Sequence, residues 1–179
     1  MIRLFIAIDI PDSVKEQIAN ICYGIPRARW VPMDQLHLTV RFIGEAEEAV
    51  FEDLRLELEH VNADSFELTL KGVGFFPPRR DPSVLWVGVE ENDLLVQLAN
   101  RIDPVLRQVG IEPEKRKFHP HITIARFKDP QPAAQVMPFI MQQALFAAPS
   151  IPVKEYHLYS SKLTGNGAIH TIEASYRLM

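Results

Sequence analysis

Apolar and polar positions along this chain follow two rhythms, alternation and a three-to-four-residue recurrence, and the two take turns. Residues 4–8 form a short apolar run bounded by Asp9 and Pro11, which predicts a strand. Pro11-Asp12-Ser13 then opens a helix, with Ser13 and Glu16 at capping-box spacing and Gly24 at its stop. After a loop through Pro26 and Pro32, residues 36–43 read as a strand ended by Gly44, and a helix follows from about 46 to 60. Residues 66–70 and 84–89 predict two strands. The connection between them runs through Gly72, Gly74, Pro77, Pro78, Arg79 and Arg80.

The same order of elements begins again near Asn92. Leu94, Leu95, Leu98, Ile102 and Val105 or Leu106 mark an apolar helix face, which Pro104 should kink or split. A strand over 118–127, a helix over 133–146 and strands over 153–161 and 169–178 complete the series, the last two flanking the turn Thr164-Gly165-Asn166-Gly167. The repetition implies an internal duplication within one bilobal domain, residues 1–179, with approximate halves 1–91 and 92–179. Such halves face each other across an approximate two-fold axis around a shared groove. Which strand belongs to which lobe does not follow from the order of elements, because duplicated folds exchange strands.

One phrase occurs in both halves: His37-Leu38-Thr39-Val40 and His121-Ile122-Thr123-Ile124, separated by 84 residues. Alternation along a strand puts each histidine and its threonine on one face and the aliphatic residues on the other. Two imidazoles and two hydroxyls brought to one groove suit acid/base chemistry on a phosphate. One imidazole, neutral, accepts a proton from the nucleophile while the other, protonated, gives one to the leaving oxygen. An unperturbed pKa of about 6.5 makes both states accessible. Thr39 and Thr123 can donate hydrogen bonds to the non-bridging oxygens. Strict alternation continues the His37 face to Arg41, the phosphate or backbone contact that spacing favours, whereas Arg126 lies an odd five residues beyond His121 and needs a bulge to reach that face.

Composition narrows the setting. A net charge of −4 argues against a protein that coats nucleic acid, leaving local basic clusters such as Lys115-Arg116-Lys117 and Arg79-Arg80 as candidates for phosphate contacts. Cys22 is the only cysteine, which excludes an intrachain disulfide and a cysteine-rich zinc site and favours a reducing compartment. The first apolar run is far too short to span a membrane, so a cytoplasmic protein is expected, with no membrane partner. His119 and His121 form a pair able to hold a transition metal from one strand face, but no further ligand is evident and no metal or other cofactor is expected. His60, His157 and His170 read as helix-end or strand-surface residues. Trp30, Phe42, Phe75, Phe76, Trp86 and Phe127 read as core, one of them a candidate to stack a terminal base.

The two motifs, with Arg41-Phe42-Ile43-Gly44 after the first and Pro120 and Ala125-Arg126 flanking the second, resemble the paired H-x-T-x motifs of the 2H phosphoesterases. In particular they resemble the RNA 2′,3′-cyclic phosphodiesterases, also called 2′-5′ RNA ligases, and the likeness extends to Phe5-Ile6-Ala7 and to Gly72-Val73-Gly74-Phe75-Phe76-Pro77. It implies the α+β 2H phosphoesterase fold, two pseudo-symmetric lobes of antiparallel sheet with outer helices around a central groove. It also implies metal-independent opening of 2′,3′-cyclic phosphate RNA ends to 2′-phosphates, and reversible joining of some tRNA halves, by a monomer. By the same resemblance His37 is the proton donor, His121 the proton acceptor and Arg126 a substrate contact, so that the second motif strand must bend. The residues alone do not order the two histidines. Two other readings remain: a non-catalytic RNA-end or nucleotide-binding module, and a phosphodiesterase acting on another small phosphodiester, including small cyclic nucleotides.

Overall fold

A computed structural model describes all residues, 1–179. Ten strands and four helices alternate along the chain. Strand β1 (Ile2–Asp9) leads to α1 (Asp12–Ala19), a two-residue strand β2 (Arg29–Trp30) and the first motif strand β3 (His37–Ala46). Then come α2 (Glu48–Glu57), β4 (Phe66–Leu68), β5 (Leu70–Phe76), β6 (Val84–Val89) and α3 (Asp93–Gln108). The second motif strand β7 (His121–Arg126), α4 (Ala133–Gln142), β8 (Ile151–Val153), β9 (Glu155–Thr164) and β10 (Gly167–Arg177) complete the chain.

The strands form two four-stranded antiparallel sheets, in the orders β10-β9-β1-β3 and β2-β7-β6-β5, and a small pair β4-β8. Each motif strand pairs with the strand preceding the helix before it, β3 with β1 and β7 with β6. Each of those pairs on its other side with a further strand, β1 with β9 from the far end of the chain and β6 with β5, which directly precedes it. The two sheets therefore exchange strands and do not follow the division at 91/92. The topological equivalent of β1 is β6, and the boundary between equivalent units lies in the connection before Val84.

That boundary was displaced because the glycine-rich stretch 70–76 is a strand, not a loop. Gly74 is there for Trp86, since a Cβ on it would lie 2.3 Å from the indole ring, and Gly88 for the neighbouring backbone, since a Cβ on it would lie 2.5 Å from the Lys71 carbonyl oxygen. Gly74 makes room for a ring in a sheet instead of marking a turn. Helix α4 also ends short of 146, because Phe146 O accepts from Gly72 N (2.7 Å) and Ala147 bridges Lys71, drawing the chain onto β5.

Helix α3 runs unbroken through Pro104. The proline is on the exposed side of the helix, as is Asn100, whose carbonyl it cannot satisfy. Its start is capped by Asn92, whose side chain accepts from Leu95 N (3.0 Å) and donates to Glu67 O (2.8 Å). Helix α1 begins at Asp12 behind Pro11 without a side-chain cap, so the Ser13/Glu16 box is not formed.

One apolar core serves both lobes. Leu4, Ile6 and Ile8 of β1, Leu38 and Val40 of β3, and Ile122, Ile124 and Ala125 of β7 pack with Leu95, Leu98, Ile102 and Leu106 of α3. On the opposite face of the first sheet, Phe5, Ala7 and Tyr159 form a separate buried patch. No helix is long and apolar enough to cross a membrane.

Candidate active site

Motif strands β3 and β7 lie against each other where the two sheets meet. The groove they floor, about 710 Å³, is lined by His37, Thr39, His121 and Thr123 together. A second concavity of about 660 Å³ near Asp9, Lys154, Glu155 and Arg177 mixes charges of both signs and includes neither motif threonine.

The two imidazoles are held alike. His37 Nδ1–H donates to the Gln35 carbonyl (2.7 Å) and His121 Nδ1–H donates to the His119 carbonyl (2.7 Å), in each case two residues upstream. A carbonyl only accepts, so in the neutral ring the bond fixes the tautomer and leaves Nε2 as the nitrogen with the lone pair. At His37 that atom lies 3.1 Å from Thr39 Oγ1. Aromatic rings from neighbouring strands set each imidazole plane. His37 lies against Phe5 (4.9 Å between centroids) and Tyr159 (6.2 Å), and His121 against Phe76 (5.0 Å) and Trp86 (6.3 Å).

Those walls depress both pKa values. Burial pulls His37 down to about 4; the Gln35 carbonyl and Asp9 oppose the shift, while His170 and Lys15 add to it. Burial also lowers His121, against the His119 carbonyl and with the help of His119 and Arg126. His170 lines the groove with its ring edge-on to His37 (5.5 Å), so it is a site residue and not the plain strand-surface residue expected.

Beyond the motifs the strands do not keep strict alternation. In β3 the ladder with β1 skips Val40: Ala7 faces Thr39 and Ile6 faces Arg41. In β7 the ladder with β6 skips Ile124: Trp86 faces Thr123 and Leu85 faces Ala125. Each bulge reverses the faces that follow. Arg126 thereby enters the groove, and its counterpart 84 residues earlier, Phe42, lines it too.

Arg41 is turned away by the same device. Alternation placed it with His37 and Thr39, but it is buried at 9% exposure, bonded to Asp103 through Nε (2.6 Å) and Nη2 (3.1 Å) and to Val40 O through Nη1 (3.0 Å). Its guanidinium also lies 5.1 Å from the centre of the Phe118 ring. It ties β3 to α3 and to the segment entering β7, and it is absent from the groove lining.

The cations of the groove are instead Arg3, Arg29, Arg126 and Lys128, and no Asp or Glu lines it. A positive groove thus coexists with the overall −4 charge. The clusters Arg79-Arg80 and Lys115-Arg116-Lys117 do not line it. Arg29 escaped notice because β2 is two residues long, and Lys128 because it follows the end of a strand. Among the aromatics, Phe5, Trp30, Phe42 and Phe127 reach the groove. No group of three or more His, Cys, Asp or Glu converges anywhere in the chain, so His119 and His121 lack a third protein ligand.

Residues 8–164 match the model of the 2′-5′ RNA ligase superfamily. The chain belongs to this superfamily. An RNA 2′,3′-cyclic phosphodiesterase of Methanocaldococcus jannaschii is 34% identical to it, over 95% of this chain and 97% of that protein. One of Archaeoglobus fulgidus is 31% identical, over 94% and 96%. The crystal structure of Escherichia coli LigT complexed with 3′-AMP superposes with a TM-score of 0.82 at 30% identity, covering 99% of this chain and 98% of that one. The superfamily member described here thus has the α+β 2H phosphoesterase fold, with its two motif histidines at the junction of the lobes.

Proposed function

We propose that this protein opens RNA 2′,3′-cyclic phosphate ends to 2′-phosphates. The observation that carries the reading is the matched pair of imidazoles, each pinned through Nδ1 to a carbonyl and presenting Nε2 to one groove that has four cations and no carboxylate. His121 Nε2 takes the proton of a water that attacks phosphorus. The P–O3′ bond breaks, and His37 Nε2 delivers a proton to the departing 3′ oxygen, leaving the phosphate on the 2′ oxygen. Thr39, Thr123 and Arg126 meet the charge that builds on the non-bridging oxygens.

His37 must be charged to act as the acid, and burial holds it at about 4 in the free protein. The negative phosphate supplies the opposing charge: an anion beside the ring favours its protonated form. Substrate binding and arming of the acid are therefore one event. If the 5′-hydroxyl of a second strand replaces water, the same movements give a 2′-5′ linkage, as joining of tRNA halves requires. Small cyclic nucleotides are the minimal substrates, and a monomer in a reducing cytoplasm is the setting this reading assumes.

Phosphorus NMR of the product from cyclic-phosphate-ended RNA tests the proposal, with linear 2′-5′ and 3′-5′ diesters in parallel and with and without chelator. A single 2′-phosphate product, unaffected by chelation, is expected. A 3′-phosphate or mixed product overturns the placement of acid and base. Binding without turnover identifies an RNA-end-binding module, and turnover of linear diesters alone identifies a different phosphodiesterase.

A further inference from the structure

Arg29 and Arg126 stand directly opposite each other where β2 pairs with the end of β7. Opposed residues on antiparallel strands have Cβ atoms roughly 5 Å apart, and like charges in that position repel. Neither arginine has a carboxylate within ion-pair distance, nor does Lys128 two residues further on. Burial does not explain the arrangement, since all three side chains are exposed. An anion lying between them would turn the repulsion into attraction.

The scissile phosphate accounts for only part of this charge. A cyclic phosphate diester carries one negative charge, and Arg126, whose charge helps lower the His121 pKa, is there to meet it, which leaves Arg29 and Lys128 over. The β2/β7 pairing lies at the end of β7 remote from His121, and Lys128 follows two residues beyond it. The groove therefore has cations at its reacting centre and further cations beyond it, on one wall.

Resting on the reading of the site as a cyclic phosphodiesterase, we propose that Arg29 and Lys128, with Arg126 between the two positions, form a second anion subsite. It takes the internucleotide phosphodiester next to the cyclic end. The preferred substrate is then an RNA end of at least two nucleotides, not a lone nucleoside cyclic phosphate.

The test compares kcat/KM for uridine 2′,3′-cyclic phosphate and for a dinucleotide ending in the same group, using wild type, R29Q and K128Q, each checked for folding by thermal melting. Wild type should prefer the dinucleotide. Each variant should lose about tenfold more on the dinucleotide than on the mononucleotide, the loss expected for one charge-assisted hydrogen bond. The fall of dinucleotide kcat/KM with salt should also become shallower in the variants. Equal losses on both substrates, or a wild type indifferent to length, overturn the subsite. A wild type that hydrolyses neither substrate overturns the underlying reading instead.

Discussion

Val40 and Ile124, each three positions after a motif histidine, are both left out of the strand ladders they run through. The internal repeat thus preserves a backbone irregularity together with the H-x-T-x phrase. Its effect is to aim Arg126 and Phe42 at the groove and to bury Ala125 and Arg41. The two arginines that the sequence offered as phosphate contacts have opposite fates for one reason.

The fates separate experimentally. Arg126→Gln should lower kcat/KM at least tenfold with little change in Tm. Arg41→Met leaves the Asp103 carboxylate without its partner and should cost about 3 kcal/mol in urea unfolding, while turnover per folded molecule stays within a few-fold. Adding Asp103→Leu should recover most of that loss. A folded Arg41→Met protein with no turnover would put Arg41 back in the chemistry.

His37→Ala and His121→Ala should each reduce kcat by roughly 10² to 10⁴ while circular dichroism remains native. Thr39→Ala and Thr123→Ala should cost less, since each removes one hydrogen bond and no proton transfer. Near-wild-type kcat in either folded histidine variant contradicts the two-imidazole mechanism.

Burial lowers both histidines, His37 to about 4, so the acid limb and the alkaline limb of kcat/KM should both lie below the ordinary histidine value of about 6.5. The limbs belong to the pair. Because bound phosphate favours the charged His37, the alkaline limb of kcat should lie at higher pH than that of kcat/KM. Coincident limbs in the two profiles would show that substrate does not arm the acid.

Stability should depend on His37 in a defined window. Its folded pKa of about 4 is below the unfolded value of about 6.5, so between them the unfolded chain binds more protons and stability rises with pH. The contribution is intact above 6.5 and is lost as pH falls toward 4, at most about 3 kcal/mol. His37→Gln, which cannot charge, should flatten that slope in denaturant titrations from pH 7 to 4. An unchanged slope would show that His37 is not the group responsible.

Periodicity is a property of neighbours in sequence, and what depends on it was legible there. Alternation put Leu38 and Ile122 in the core and His37, Thr39, His121 and Thr123 on one face, and the recurrence of that phrase pointed to a shared groove. Pairing is a property of neighbours in space, and the tertiary structure alone decided what depends on it. Whether β3 keeps step with β1 fixes where Arg41 points, and Asp103, 62 residues away, is the partner that holds it there. Gly74 resembles a turn residue until Trp86 is laid across it. The placing of β9 beside β1, and the facing of Arg29 with Arg126, likewise depend on hydrogen bonds between segments far apart in sequence.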